Sequence, residues 1–413
     1  MNKNYLSFIK NNKNFILLWN SQILSQISIN MINFVMATRI YEKTGSTLLV
    51  SFIWIFYYLP TFFLGPFAGY FIDHWSKRKI LLVANILQGF SILLYLPIGD
   101  KFFYIYPIVF LYSLLNQFYA PAEGASLPSL VNKKNLPLTN SLFMITAQTS
   151  LIIGFGVSGI LMRFFGRDNP IYISALALFV AAISVFYLPK DEPQKKAKAD
   201  ISDFVKQIKF GYQFIKDKKI ILFPILLMSA IQVFLVVLGV AVPEFAKLTL
   251  GLDIRDAGPA LIMPLGIGAL LGTYILTKFL KLNRKKYIIK RGFLFAFLVF
   301  TVFSLLINWF GDFKAYFAFI LMIILGFSGI LIFIPSQTLV QENTPAFLRG
   351  RVFGAWGFIS NAITFPFLLF SASIIDILGV RMFLFLIGLF CLTGYIFLNK
   401  VEGVILESQN GNK

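Results

Sequence analysis

Charge is scarce in this chain, and what there is leans one way. Only 13% of the 413 residues are charged, and 37 Lys and Arg stand against 18 Asp and Glu, a net charge of +19. Soluble chains carry roughly 25% charged residues, so a globule wetted on every side is excluded. Sulfur and imidazole are scarcer still. Cys391 is the single cysteine and His74 the single histidine. That excludes a disulfide framework, a thiolate metal cluster, a multi-histidine metal site and a histidine-based nucleophile relay. No glycine-rich GK[ST] loop is present to cradle ATP. An enzyme site, a metal and a cofactor are therefore not expected.

Apolar sequence is abundant instead: 58% of residues are hydrophobic, 48 of them Phe, and mean hydropathy is +0.77. It comes in runs of about 20 residues, the length a helix needs to cross roughly 30 Å of hydrocarbon. Twelve such spans are predicted, near 15–38, 47–72, 80–98, 103–125, 139–162, 170–188, 220–242, 258–280, 290–309, 314–336, 352–375 and 380–399. The opening MNKNYLSFIKNNKNF leads into the first run with no small-residue cleavage site behind it, so a retained first helix is expected rather than a signal peptide. The fold class is an all-α membrane protein with 12 transmembrane helices, its outer faces against the lipid bilayer.

One connector is long. Residues 189–219 open on Pro, acids and lysines, then place Ile201, Phe204, Val205, Ile208, Tyr212 and Ile215 at helical spacing. That is the pattern of an amphipathic helix on a membrane surface. It divides the chain into an N-terminal six-helix half (1–188), a cytoplasmic linker (189–219) and a C-terminal six-helix half (220–413). With the N-terminus inside, the even-numbered connectors and both tails hold 28 of the 37 Lys and Arg, and the other connectors nine. The positive-inside rule then puts both termini in the cytoplasm. Confining Lys and Arg to short connectors also leaves no basic, aromatic-interleaved domain, so nucleic acid is not an expected partner. The halves resemble one another: APAEGASLPSLVNKKNLPLTN from Ala120 and IPSQTLVQENTPAFLRGRVFG from Ile334 each leave a helix through a proline into a connector. Duplicated six-helix units are one way to build an alternating-access transporter.

The sharpest local pattern is GPFAGYFIDHWSKRK, residues 65–79. Gly65 and Gly69 are a small-xxx-small pair that allows close helix approach. Asp73 follows at the expected membrane edge, then Lys77, Arg78 and Lys79. This resembles the signature loop of the major facilitator superfamily, with His74, Trp75 and Ser76 where basic residues and a glycine often stand. In that family the loop closes the cytoplasmic side, and the resemblance implies a gate role for Gly69, Asp73, Lys77 and Arg78. Gln341-Glu342-Asn343-Thr344-Pro345 and Arg349-Gly350-Arg351-Val352-Phe353-Gly354 are similar to the helix 10–11 connector of the drug-exporter-like branch, which includes macrolide and enterobactin exporters. LLWNSQILSQ at 17–26, Thr44-Gly45-Ser46, Pro121-Ala122 with Pro128, and Asn140-Ser141 fit the same branch, so the resemblance covers nearly the whole chain. It implies the two-half major facilitator fold and a bacterial-type inner-membrane location. It also adds Glu342, Arg349 and Arg351 to the gate, where the two arginines would bridge to acids or lipid phosphates. Ordinary positive-inside turns would read the same way in both loops. Helix 5 carries Gly154, Gly156 and Gly159, with Phe155 where the branch tends to have proline, a pattern that also suits a close-packed helix face.

Ionisable residues in mid-membrane are costly and usually functional, and the central thirds of the twelve spans carry none. Glu123, near the inner end of helix 4, is the one acid placed within a span; its counterpart in the repeat is Gln337. It is a candidate proton-coupling or cation-attracting group, or else an interfacial acid paired with a loop lysine such as Lys133. Amides are more plentiful. Gln22, Gln26, Asn30 and Asn33 on helix 1, with Asn116, Gln148, Gln232 and Asn361, are candidates for lining a substrate cavity. An unpaired amide in hydrocarbon is costly, so these side chains face either a wet cavity or a partner helix. Few hydrogen bonds among many aromatics suit a bulky, largely apolar ligand.

The expected function is secondary active export of hydrophobic or amphiphilic small molecules, drug- or macrolide-like, by alternating access with protons as coupling ion. A lipid or lysolipid flippase of the same fold is the second reading, and a non-transporting membrane receptor or scaffold the third. A self-contained two-half transporter is expected to be a monomer.

Overall fold

Backbone surrounded by hydrocarbon has to satisfy its own N–H and C=O groups, and a helix does so within one segment. The computed structural model describes residues 12–99, 101–132, 135–191, 210, 212–279, 285–345 and 348–400, with side chains at all of these except 62, 65–74, 137, 138, 141, 144, 148, 277–279, 350, 399 and 400. Among the described residues the chain forms twelve long helices and no strand. They are α1 (Lys13–Thr44), α2 (Thr47–His74), α3 (Lys77–Leu93), α4 (Ile105–Leu130), α5 (Leu136–Phe165), α6 (Asn169–Phe186), α7 (Lys219–Glu244), α8 (Met263–Phe279), α9 (Lys285–Thr301), α10 (Lys314–Asn343), α11 (Arg349–Leu378) and α12 (Val380–Lys400). Each predicted span falls on one of them, although α3 stops at Leu93 and α9 continues only as a wider turn, Val302–Leu306. Eight described stretches, one of them running through both α9 and α10, are long and apolar enough to cross a membrane.

Residue contacts divide the chain into two compact units. One is Met1–Thr44 with Phe52–Ile201; the other is Gly45–Ser51 with Ser202–Lys413. The division falls inside the long connector, and the first turn of α2 goes with the second unit. In the first unit α1 packs on α5 and α6, and α3 packs on α4 and α6. In the second, α7 packs on α11, α9 on α10 and α12, and α8 on α10. The pairings α1–α5, α3–α4 and α3–α6 thus recur as α7–α11, α9–α10 and α9–α12, as a duplicated unit requires. Of the amphipathic positions in the connector, Ile201, Phe204, Val205 and Ile208 lie outside the described residues. Residues 212–217 are helical, with Tyr212 exposed and Ile215 buried against Ile221, Ile225, Met228 and Val340.

The packing is reversed relative to a water-soluble bundle. On α6 the buried face is Ser174, Ala175, Leu178, Ala181, Ala182 and Val185, while Tyr172, Ile173, Leu176, Val180 and Ile183 point outward. Small and hydroxylated residues let helices approach closely where hydrocarbon supplies no hydrophobic drive, and the large apolar residues meet the lipid. Glycine matters most where backbones touch. A Cβ on Gly268 would lie 1.9 Å from the Ile323 carbonyl oxygen, and one on Gly326 only 1.8 Å from that of Leu265, so α8 and α10 meet main chain to main chain. At the reversals, Gly45 (φ +66°) and Gly379 (φ +81°) take left-handed backbone that side chains disfavour. They join α1 to α2 and α11 to α12 in a residue or two.

Substituting Gly326→Ala forces the α8 and α10 backbones apart and is expected to destabilise the protein by about 1–3 kcal/mol, the range for overpacking. Gly329→Ala, where an added methyl meets nothing within 4 Å, is the control. A thermal-unfolding series on the detergent-purified pair checks this; equal midpoints would show that the helices do not touch as described.

Candidate functional site

Helix geometry places residues four apart on one face, and on α4 that puts Tyr119 one turn from Glu123. The Tyr119 hydroxyl donates to Glu123 Oε1 at 3.0 Å. α1 brings Ser21 and Ser25 to the same phenol, with 3.0 Å between Ser21 Oγ and Tyr119 Oη and a longer 3.5 Å bond from Ser25 Oγ. α3 completes the cluster, since Asn85 Nδ2 donates to Ser21 Oγ at 3.0 Å. Glu123 is 7% exposed, and Tyr119, Ser21 and Asn85 no more than 2%. Among the described residues no Lys or Arg pairs with Glu123; Lys133 lies outside them. The carboxyl thus sits at the end of a chain of hydroxyls, an arrangement able to take up and pass on a proton.

The candidate cavity amides are dispersed. Gln22 is buried, and its Nε2 donates to the Phe143 carbonyl at 3.3 Å while Oε1 has no partner among the described residues. Asn30 is half-buried and bonds back to the Gln26 carbonyl at 2.8 Å; its Cβ would lie 2.5 Å from a methyl added to Gly154, so α1 and α5 touch there. Asn33 is buried, Gln26 half-buried, and Asn116 Nδ2 reaches the Tyr57 hydroxyl at 3.4 Å. Gln232 and Asn361 are half-buried on α7 and α11. The Gln148 side chain is outside the described residues.

At the Lys-rich end of the first unit, α3 begins at an N-cap formed by Ser76. Asp191, just past α6, accepts from Ser76 Oγ (2.6 Å), Lys77 N (2.6 Å) and Arg78 N (3.2 Å). Lys77 Nζ reaches back to the Ala125 carbonyl of α4 at 3.1 Å. Arg78 donates to the Phe186 carbonyl, with its guanidinium 5.3 Å from the Phe186 ring centre. Gly69 and Asp73 lie on α2, their side chains outside the described residues. In the second unit Glu342 pairs with Lys285, Arg349 Nε donates to the Thr344 carbonyl at 3.2 Å, and Arg351 lies 5.5 Å over the Phe210 ring. The two arginines thus engage a carbonyl and an aromatic face.

Residues 18–368 match the profile of the Major Facilitator Superfamily. The chain belongs to that superfamily. It is a multi-pass membrane transporter. It is 24% identical to the uncharacterised MFS-type transporter YfiS of Bacillus subtilis (strain 168) over 97% of this chain and 98% of that one. It is 23% identical to Macrolide efflux protein A of Streptococcus pyogenes over 91% and 92%. Its fold is similar to that of a bacterial homologue of the iron transporter ferroportin in an inward-facing state, with a TM-score of 0.70 at 16% identity over 94% and 98%.

Three acids of the transporter escaped the sequence reading. Asp191 lay in a connector where acids and lysines alternate. Glu244 and Asp376 fell just beyond spans cut at 242 and 375, whereas α7 runs to Glu244 and α11 to Leu378. Glu123 is thus not the only acid on a span. Glu244 is 5% exposed, accepts from the Val380 N–H and lies in electrostatic reach of Asp376. Asp376 caps the start of α2, which its own compact unit includes: it accepts from Ser46 Oγ at 2.5 Å, Thr47 N at 2.7 Å, Leu48 N at 3.1 Å and also from Thr47 Oγ1. The Thr-Gly-Ser-Thr run before α2 was the available signal, since such residues seek caps.

Two outcomes follow. Partial burial alone would raise the Asp191 carboxyl, but the Ser76 hydroxyl and the Lys77 and Arg78 N–H groups together hold it below the ordinary carboxylate value. Its stabilisation is accordingly present above the unfolded value and lost as pH falls through the depressed one. Asp191→Asn is expected to cost about 0.5–2 kcal/mol at neutral pH, the worth of a cap, and to flatten the acid limb of the stability curve; unchanged acid dependence would assign that limb elsewhere. Asp376→Ala is expected to cost a similar amount, about 1 kcal/mol. It should also speed amide exchange at Thr47 and Leu48, seen by hydrogen–deuterium exchange mass spectrometry; protected amides would mean the cap is not formed.

Proposed function

We propose that this transporter exports hydrophobic or amphiphilic small molecules, drug- or macrolide-like, in exchange for protons, by alternating access with both termini in the cytoplasm. The observation that carries the reading is Glu123, an acid in the interior of a six-helix unit whose hydrogen-bond partner is a phenol joined to further hydroxyls. A carboxyl held among helices in hydrocarbon is retained for function more often than for stability. The full-length similarity to Macrolide efflux protein A supports the substrate class. In this reading the Asp73 loop, with Lys77 and Arg78, and the Glu342, Arg349 and Arg351 connector form the cytoplasmic gate. The candidate amides contribute the few polar contacts of the substrate path, and the protein acts as a monomer.

One observation favours a lipid or lysolipid substrate as the second reading. A cleft of about 480 Å³ in the second unit is lined by Phe223, Phe293, Phe390, Phe397, Leu226 and Gly394, and Lys290 lies 4.7 Å over the neighbouring Tyr395 ring. An aromatic cleft suits an acyl chain, and a cation on the same pair of helices, α9 and α12, suits an anionic headgroup.

Flux of dyes and a macrolide in proteoliposomes under an imposed pH gradient separates the readings. Wild-type flux is expected to follow the gradient, and that of Glu123→Gln to fall to the level of empty liposomes while binding persists. Gradient-independent flux in wild type, or full gradient-driven flux in Glu123→Gln, would overturn proton coupling through this residue. Movement of labelled lysolipid with no drug flux would establish the second reading.

A further inference from the structure

The hydroxyl chain that ends on Glu123 continues into the interior of the first unit through buried polar residues of α1, α3 and α6. On α1, Ser21, Ser25 and Ser28 lie on one buried stripe, at most 4% exposed. Ser28 Oγ donates to the Ser174 carbonyl of α6 at 3.0 Å. On α3, Asn85 and Gln88 are one turn apart and fully buried. Here the hydrogen bonding is incomplete. Among the described residues Gln88 Oε1 and Nε2, Asn85 Oδ1 and Ser174 Oγ have no partner, although each would cost heavily if left dry. Buried polar groups of native proteins are almost always satisfied, if need be by internal water. Gln88 is the sharpest case, an amide with neither end bonded in the middle of a helix bundle.

The seam is not a general requirement of the repeat. The corresponding buried face of α9 is Lys286, Ile288, Ile289, Gly292, Phe293, Ala296, Val299 and Phe300, with no amide. The seam also points somewhere. At the opposite end of the same unit a cavity of about 420 Å³ is ringed by Arg39, Glu42, Arg167 and Asp168, with buried Met36 and Tyr95 among its lining. Arg39 pairs with Asp168 and Arg167 with Glu42, so the rim is polar and organised. Ser28 and Met36 on α1 are separated by about two helical turns, roughly 12 Å of rise, and Tyr95 follows the end of α3, seven residues after Gln88. Ser91, buried between them, donates to the Gln88 carbonyl at 2.8 Å.

We propose that the α1–α3–α4–α6 seam binds a short string of internal water through Asn85, Gln88 and Ser174, and that protons from the cavity at the opposite end reach Glu123 along it, separate from the substrate path. This rests on the proton-coupled reading above. The step balances as a relay. A hydronium in the seam releases a proton to the Ser21 hydroxyl as that hydroxyl passes its own to the Tyr119 oxygen. Tyr119 gives its proton to the Glu123 carboxylate, so hydronium becomes water, carboxylate becomes carboxylic acid, and the hydroxyls end neutral. Amides do not relay protons; Asn85 and Gln88 hold the water that does. The charged groups on the packed helices lie near their ends: Lys13, Arg39, Glu42 and Lys43 on α1, Lys77, Arg78 and Lys79 on α3, and Arg163 on α5. Of these Lys77, bonded to the Ala125 carbonyl, comes nearest to Glu123 along the chain of contacts.

The test uses the full chain in proteoliposomes. Gln88→Cys is made in a Cys391→Ala background and exposed to silver ion, which is small enough to enter a water string and reacts with hydrated thiols. The remaining free thiol is counted after denaturation. The introduced thiol is expected to be consumed, while Cys391 of the wild-type chain, buried on α12, stays protected; equal protection would show the seam dry and overturn the proposal. In parallel, Gln88→Leu is expected to lose gradient-driven flux yet retain substrate exchange at equal pH, with Gln88→Asn restoring the driven flux. Loss of both activities in Gln88→Leu without rescue by Gln88→Asn would mark Gln88 as structural and overturn the relay. Should wild-type flux ignore the pH gradient, proton coupling and the relay fall together, whereas silver reactivity would still establish the water site.

Discussion

Hydrocarbon offers a polar group nothing to bond with, and each feature of this transporter answers that constraint. The backbone meets it by being helical throughout the described spans. Side chains meet it by bonding backward within their own helix, as Asn30, Ser126 and Thr364 do, or by meeting across helices, as Tyr119 does with Ser21. Where neither is possible, as at Gln88, the group is costly enough to require a reason. The same constraint governs the helix ends, whose first N–H groups lack intrahelical partners. Asp191 and Asp376 each supply a carboxylate to a helix start from a distant part of the chain, one to α3 and the other to α2. Both are longer-range than a local cap, so each ties two elements together as well as finishing one.

Close packing is the second consequence. With no water to expel between helices, attraction comes from surfaces that fit. The α8–α10 contact through Gly268 and Gly326 and the α1–α5 contact at Gly154 are of this kind. The recurrence of the same helix pairings in the two units follows from one ancestral packing scheme used twice. The polar content of the two units nevertheless differs. The first carries Glu123 and the serine and amide seam around it; in the second, the equivalent α9 face is apolar apart from Lys286. The second unit has a buried acid of its own, Glu244 at the end of α7, and the proposed proton chemistry belongs to the first.

The fold was legible in the sequence because its main term is compositional. Twelve apolar runs of membrane length, with Lys and Arg concentrated in alternate connectors, predict twelve helices without knowledge of their neighbours, and the loop from Gly65 to Lys79 with the Gln341–Gly354 connector resembles the superfamily to which the chain belongs. Limits were less legible. A span ends where hydropathy falls, but a helix ends where its caps are, so α7 and α11 ran on to take in Glu244 and Asp376. Arg349 and Arg351 show the same limit. Their charge was readable; their partners, the Thr344 carbonyl and the Phe210 ring, were not.

Sequence alone determined the class, the number of helices, the duplicated order and the presence of an acid at position 123, since all of these follow from residue type and local periodicity. Only the tertiary structure decided what that acid touches. The approach of Tyr119, Ser21 and Asn85 depends on the rotation of α1, α3 and α4 about their axes, which hydropathy does not encode when helices are apolar all round. The caps from Asp191 and Asp376, and the fully buried Gln88, were hidden for the same reason. Each is a contact between residues far apart in the chain, set by how helices turn and slide against one another.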